Sequence, residues 1–261
     1  MKQTGKTKKV SKYEKKLLKA GNQPTVQLAI AVLVEELLRD LPFPPTDLDL
    51  LRERLHIVGI NEQDIPMSGE LRRNGKALEI VYSAYLTKQR QRFTIAHEMG
   101  HALLHKLGER LPHTGSEVER LCDQFAAEIL MPREVFLKQL GSRLTIERLF
   151  ELRKMFDVSL SSVAHKCFEL KRDSVFEIER EAVTWGTGLV KKGPCRDLET
   201  GLRLGINDAK SKQKGNLDLY FVDRGRTYRG ELEWLKRSHE KILFVLRRST
   251  DHKLAAPATG L

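Results

Sequence analysis

Five residues near the middle of the chain, His97-Glu98-Met99-Gly100-His101, place the tightest demand on what it can fold into. Histidines four positions apart reach one ion only if the backbone between them is helical, because helical winding brings i and i+4 onto one face. The spacing therefore requires a helix here. It also matches H-E-x-x-H, a pattern in which two imidazoles hold zinc while the glutamate faces the open coordination position. Phe93, Ala96, Gly100 and Leu104 supply an apolar stripe beside the histidines, and the helix is placed from Lys88 to Lys106. Gly108 and Pro112 end it and open a polar loop, His113 to Ser116.

Two histidines do not complete a hydrolytic zinc site, which needs a third protein ligand and a water. A metzincin would carry glycine three residues and histidine six residues after His101, where this chain has Leu104 and Leu107. His105 lies two turns from His97, about 12 Å along the axis, too far to share its ion on a straight helix. A second helix, Glu117 to Met131, offers Glu117, Glu119 and Glu128. Glu119 is preferred because Asp123 follows it by one turn: one carboxylate can bind the ion while the other accepts the free N–H of a ligand histidine. Glu128 is the alternative.

The flanking sequence predicts a mixed fold. Val26, Ala29, Ile30, Leu33 and Leu37 mark an amphipathic helix that stops at Pro42, Pro44 and Pro45, and Thr46 is the expected N-cap of a short helix through Leu55. Strand-like runs at His56 to Val58, Gly69 to Arg73 and Lys76 to Tyr82 surround Asn74-Gly75, a strong hairpin signal. Thr145 to Phe156 and Leu160 to Leu170 form a helix-turn-helix-like pair around Asp157-Val158-Ser159. Past Lys171 the pattern turns to strands at Val175 to Glu179, Leu217 to Val222 and Lys241 to Arg247. The expected fold class is α+β. The domains read as a basic disordered tail (1–22), a metallopeptidase domain (23–142), a helical segment (143–171) and a small strand-containing C-terminal domain (172–261).

The net charge of +11 sits at the two ends: residues 1–19 and 185–261 each carry +7, leaving the middle at −3. Weak nucleic-acid contact through those basic ends is the secondary partner expectation. The apolar stretch Leu28 to Val34 is too short to span a bilayer, so no membrane role and a cytoplasmic location are expected. Three cysteines, Cys122, Cys167 and Cys195, at unrelated spacings indicate neither a disulfide framework nor a cysteine-rich zinc site.

The run Arg90-Gln91-Arg92-Phe93-Thr94-Ile95-Ala96-His97-Glu98-Met99-Gly100-His101, followed by Glu119-x-x-Cys122-Asp123-Gln124-Phe125-Ala126-Ala127-Glu128-Ile129-Leu130-Met131-Pro132, resembles the ImmA/IrrE family of bacterial metallopeptidases. The resemblance covers about residues 24–172. Cys122 stands where alanine is more usual. The resemblance implies a zincin-like fold, zinc held by His97, His101 and Glu119, and Glu98 as base. It also implies cleavage of a helix-turn-helix repressor that switches on stress-response or mobile-element genes. Some members carry a sensory domain where this chain has residues 172–261.

From the residues, the expected chemistry is metal-assisted peptide hydrolysis, with the strand Leu78 to Tyr82 holding extended substrate and Tyr82, Tyr85 or His105 available to an oxyanion. The alternative is a DNA-binding or toxin-antitoxin-type regulator whose metallopeptidase-like domain is structural. An intact Glu98 favours the enzyme, since a structural site needs no base.

Overall fold

The computed structural model describes residues 11–75, 77–108, 115–171, 173–198, 200–223, 226–238 and 240–248. The chain divides into two compact units, Met1–Phe136 with Phe156–Val158, and Leu137–Met155 with Ser159–Leu261. Among the described residues no helix is long and apolar enough to cross a membrane.

The first unit opens on helix α1 (Lys12–Gly21), inside the segment expected to be an unstructured tail. Ser11 and Glu14 form a reciprocal capping box, and Leu17 is fully buried. Local capping and one apolar anchor therefore order the lysine-rich stretch. The residues before Ser11 lie outside the described part. Helix α2 (Val26–Leu38) is capped by Thr25, and α3 (Leu48–Arg54) is capped by Asp47, whose carboxylate accepts from the amides of Asp49 and Leu50. Thr46, the expected cap, is instead buried and donates its hydroxyl to the Ile129 carbonyl at 2.6 Å. A distant carbonyl has claimed it.

Strands β1 (Ile57–Gln63), β2 (Gly69–Asn74) and β3 (Ala77–Ser83) form a sheet in the order β1-β3-β2, with β3 parallel to β1 and antiparallel to β2. Asn74 pairs with Ala77 across the hairpin, and Gly75 takes the positive φ of the turn. Helix α4 (Lys88–Lys106) follows, capped by the Thr87 side chain, and lies against β2, β3 and helix α5 (Ser116–Leu130). The apolar face of α5, with Leu121, Phe125, Ala126 and Ile129, is fully buried. The loop expected between α4 and α5 lies outside the described residues up to Thr114. The boundary between units falls within α6 (Arg133–Leu140).

The second unit holds most of α7 (Ile146–Phe156), then α8 (Leu160–Lys171) and β4 (Ser174–Glu179), β5 (Ala182–Gly186) and β6 (Gly193–Pro194). Helix α9 (Thr200–Ser211) precedes β7 (Lys214–Asp223), β8 (Arg226–Lys236) and β9 (Lys241–Arg248). The antiparallel sheet runs β6-β5-β4-β9-β8-β7. Its core centres on the cross-strand pair Phe176 and Phe244, stacked at 4.9 Å, together with Leu232, Trp234 and Ile206. Gly205 lets α9 lie close to β8, because a Cβ there would stand 2.7 Å from Leu232 Cδ2.

Candidate metal centre

His97, Glu98 and His101 lie on the middle turns of α4, and Glu119, Cys122 and Asp123 lie on the facing turns of α5. The two helices approach closely at Gly100, where a Cβ would stand 3.1 Å from Cys122 Cα and 3.1 Å from Phe125 Cβ. A glycine between the two histidines thus lets the acid-bearing helix sit against them.

His97 Nε2 is 3.1 Å from Glu119 Oε2, and His101 Nε2 is 3.7 Å from Glu119 Oε1. On the other side of the His97 ring, Nδ1 is 2.9 Å from Asp123 Oδ1. The two rings stand edge to face at 5.1 Å. Of the expected site residues, the structure therefore brings His97, His101, Glu119 and Asp123 into direct contact. Burial opposes protonation of His97, but the Asp123 hydrogen bond and the charges of Glu98, Asp123 and Glu119 outweigh it and raise its pKa. An imidazole ring between two carboxylates marks a place that favours positive charge, whether a proton or a metal cation.

Glu98 is buried, and burial pushes its carboxyl up to about 7. His97 lowers it, Glu119 and Glu70 raise it, and the backbone amide of Leu71 on β2 lowers it by hydrogen bonding. Strand β2 reaches Glu98 because Gly69 has no side chain: a Cβ would stand 2.4 Å from Thr94 Cγ2 and 3.6 Å from Glu98 Oε1. The neighbourhood holds three carboxylates around two imidazoles. Such a donor set suits a divalent metal of the zinc type.

Three other expectations resolve differently. Glu128, the alternative third ligand, is buried and accepts the Arg133 amide at 2.6 Å, which ties it to the start of α6. Tyr82 bonds to Glu62 at 3.4 Å, Tyr85 is 76% exposed after β3, and His105 is half-buried in the last turn of α4. The strand Leu78 to Tyr82 belongs to β3, the central strand, both edges of which are already paired, so it cannot accept an added strand.

Sequence reasoning also passed over Cys122, taken only as a small residue. Among the described residues it forms, with His97 and His101, a group whose potential ligand atoms all lie within 4.8 Å of one another. The signal was present in the spacing, since positions 119, 122 and 123 share one helical face.

A two-histidine helix wedged between a small mixed sheet and an acid-bearing helix defines, as a class, an α+β domain with a candidate metal centre. Residues 42–168, just under half of the chain, match the family model described as the IrrE N-terminal-like domain of peptidase family M78, and this part of the chain is similar to the ImmA/IrrE family. A relative, the radiation response metalloprotease IrrE of Deinococcus radiodurans, is 38% identical over 105 residues, covering 34% of this chain and 30% of that protein. The chain thus matches less than a third of that relative's length. A solved Mycobacterium tuberculosis transcriptional regulator superposes with a TM-score of 0.49 at 17% identity, over 89% of this chain and 92% of that one.

Proposed function

We propose that the first unit is a zincin-like, zinc-dependent endopeptidase that hydrolyses a peptide bond in a helix-turn-helix repressor. The observation that carries this reading is the convergence of both histidine Nε2 atoms on the Glu119 carboxylate, with buried Glu98 one residue from His97. His97, His101 and Glu119 would hold the ion, and Asp123 would fix the His97 tautomer through Nδ1. When bound, zinc supplies Lewis acidity, polarising a carbonyl and making water a nucleophile near neutral pH.

The chain's own groups do the rest. Glu98 takes the proton of the attacking water and hands it to the departing amine, a task suited to a carboxyl whose pKa burial has brought near neutrality. The Leu71 amide orients that carboxylate from the sheet side. Extended substrate would pair along the edge of β2, the strand that runs past Glu98.

The test combines metal analysis of the purified protein with incubation against the helix-turn-helix regulator encoded beside its gene. Stoichiometric zinc and a single cut, with Glu98→Gln keeping the zinc but losing the cut, is the expected result. Cleavage that persists in Glu98→Gln would remove Glu98 from the mechanism, and a protein that takes up no metal would sink the reading.

A further inference from the structure

Cys122 has a different setting from its neighbours on α5. Glu119 and Asp123 are 52% and 59% exposed at their side chains, whereas Cys122 is fully buried. The close approach at Gly100 sets it against α4, since the glycine faces Cys122 Cα and Cβ. The sulfur is within 4.8 Å of a ring nitrogen of both His97 and His101. Two ligands of one tetrahedral zinc, at the usual Zn–N and Zn–S lengths, stand about 3.5 Å apart.

The chemistry points the same way. Two imidazoles and a thiol meet here, with the Glu119 and Asp123 carboxylates on the solvent side. Thiolate is a soft ligand that favours zinc over manganese or iron, which carboxylate and imidazole alone discriminate less well. We propose that Cys122 is a thiolate ligand of the bound ion, holding it with His97 and His101 from the buried side while Glu119 approaches from the solvent side. This rests on the metal-centre reading above. On binding, the S–H bond breaks heterolytically, the sulfur electron pair forms the metal–sulfur bond, and the proton leaves to solvent. Zinc accommodates a fifth ligand, so the thiolate leaves room for a water.

The experiment is X-ray absorption at the zinc edge on the full chain loaded with one equivalent of zinc, in the wild type, Cys122→Ala and Cys122→Ser. The expected wild-type spectrum contains one sulfur scatterer at about 2.3 Å, absent from both variants, which keep only nitrogen and oxygen at about 2.0–2.1 Å. Cys167 and Cys195 belong to the second unit, so a sulfur shell lost with residue 122 is that of Cys122. A second readout is competition between zinc and manganese, in which the wild type should prefer zinc more strongly than Cys122→Ala does. Circular dichroism checks that each variant is folded. Stoichiometric zinc with only nitrogen and oxygen neighbours in the wild type would overturn the thiolate ligand and leave the peptidase reading standing. A wild type that takes up no zinc would overturn both.

Discussion

Both units bury charge, and they treat it in opposite ways. In the second, Arg247 is nearly enclosed, yet it lies 2.8 Å from Glu231, pairs with Glu233 and donates to the Leu144 carbonyl at 2.5 Å. Arg143 adds a second cation to Glu231, and the Ile146 amide donates to Glu233 at 3.1 Å. Both carboxylates of this cluster, Glu231 and Glu233, have a cationic partner. In the first unit, Glu98, Glu119 and Asp123 gather around two histidines, and one of those carboxyls is pushed to about 7. Buried charge matched internally is framework, whereas an anionic surplus around imidazoles creates a demand for a cation from outside the chain.

The comparison can be broken at several points. The largest effect is expected from Glu98→Gln, which should cut the turnover of a cleaved partner by about 10³-fold, the usual scale of a general acid–base group, with metal content unchanged. Next is Arg247→Ala, which strands Glu231 and Glu233 and should cost the second unit about 3–5 kcal/mol in urea denaturation. Adding Glu231→Leu and Glu233→Leu with Arg247→Met should recover much of that loss; a persistent deficit would mean that the cluster is more than framework. Asp123→Asn should weaken zinc binding by about 10–100-fold in a chelator competition while leaving the apo-protein's melting nearly unchanged.

The smallest effect concerns Asp173. Burial raises its carboxyl to about 6 from an ordinary 3.8, against the pull of Arg247 and Lys171. A folded pKa above the unfolded one means that the native state holds the extra proton, so this contribution is present at low pH and is lost as pH rises between about 4 and 6. Relative to Asp173→Asn, the wild type should lose about 1–2 kcal/mol across that window, after solvent screening is allowed for. A difference independent of pH would show that neighbouring cations already compensate this carboxylate.

Much of the candidate site could be read in the sequence because its determinants are local. Helical spacing alone places His97 with His101 and Glu119 with Asp123, and the α4 bounds follow from its apolar stripe and its end signals. What was missed depended on distant partners. Thr46 looked like a cap until the Ile129 carbonyl took its hydroxyl. Strand β8 was hidden because Glu231 and Glu233 give it a polar reading, and Arg247 on β9 neutralises them. Helix α9 was hidden by Gly201 and Gly205, which suggest a loop, although the second lets the helix settle against Leu232. Cys122 was seen as volume rather than as a donor, since its meaning depends on the helix across from it.

The two histidines ride on a single rigid rod, so their mutual spacing cannot change without unwinding it. The opposing donors belong to another rod, separated from the first by the thickness of one glycine. In the proposed site, ion retention would work as a gauge of that gap: slight heating or mild denaturant that lets the second rod drift should release the ion well before either rod melts, and escape of metal would be the earliest sign that the domain is loosening.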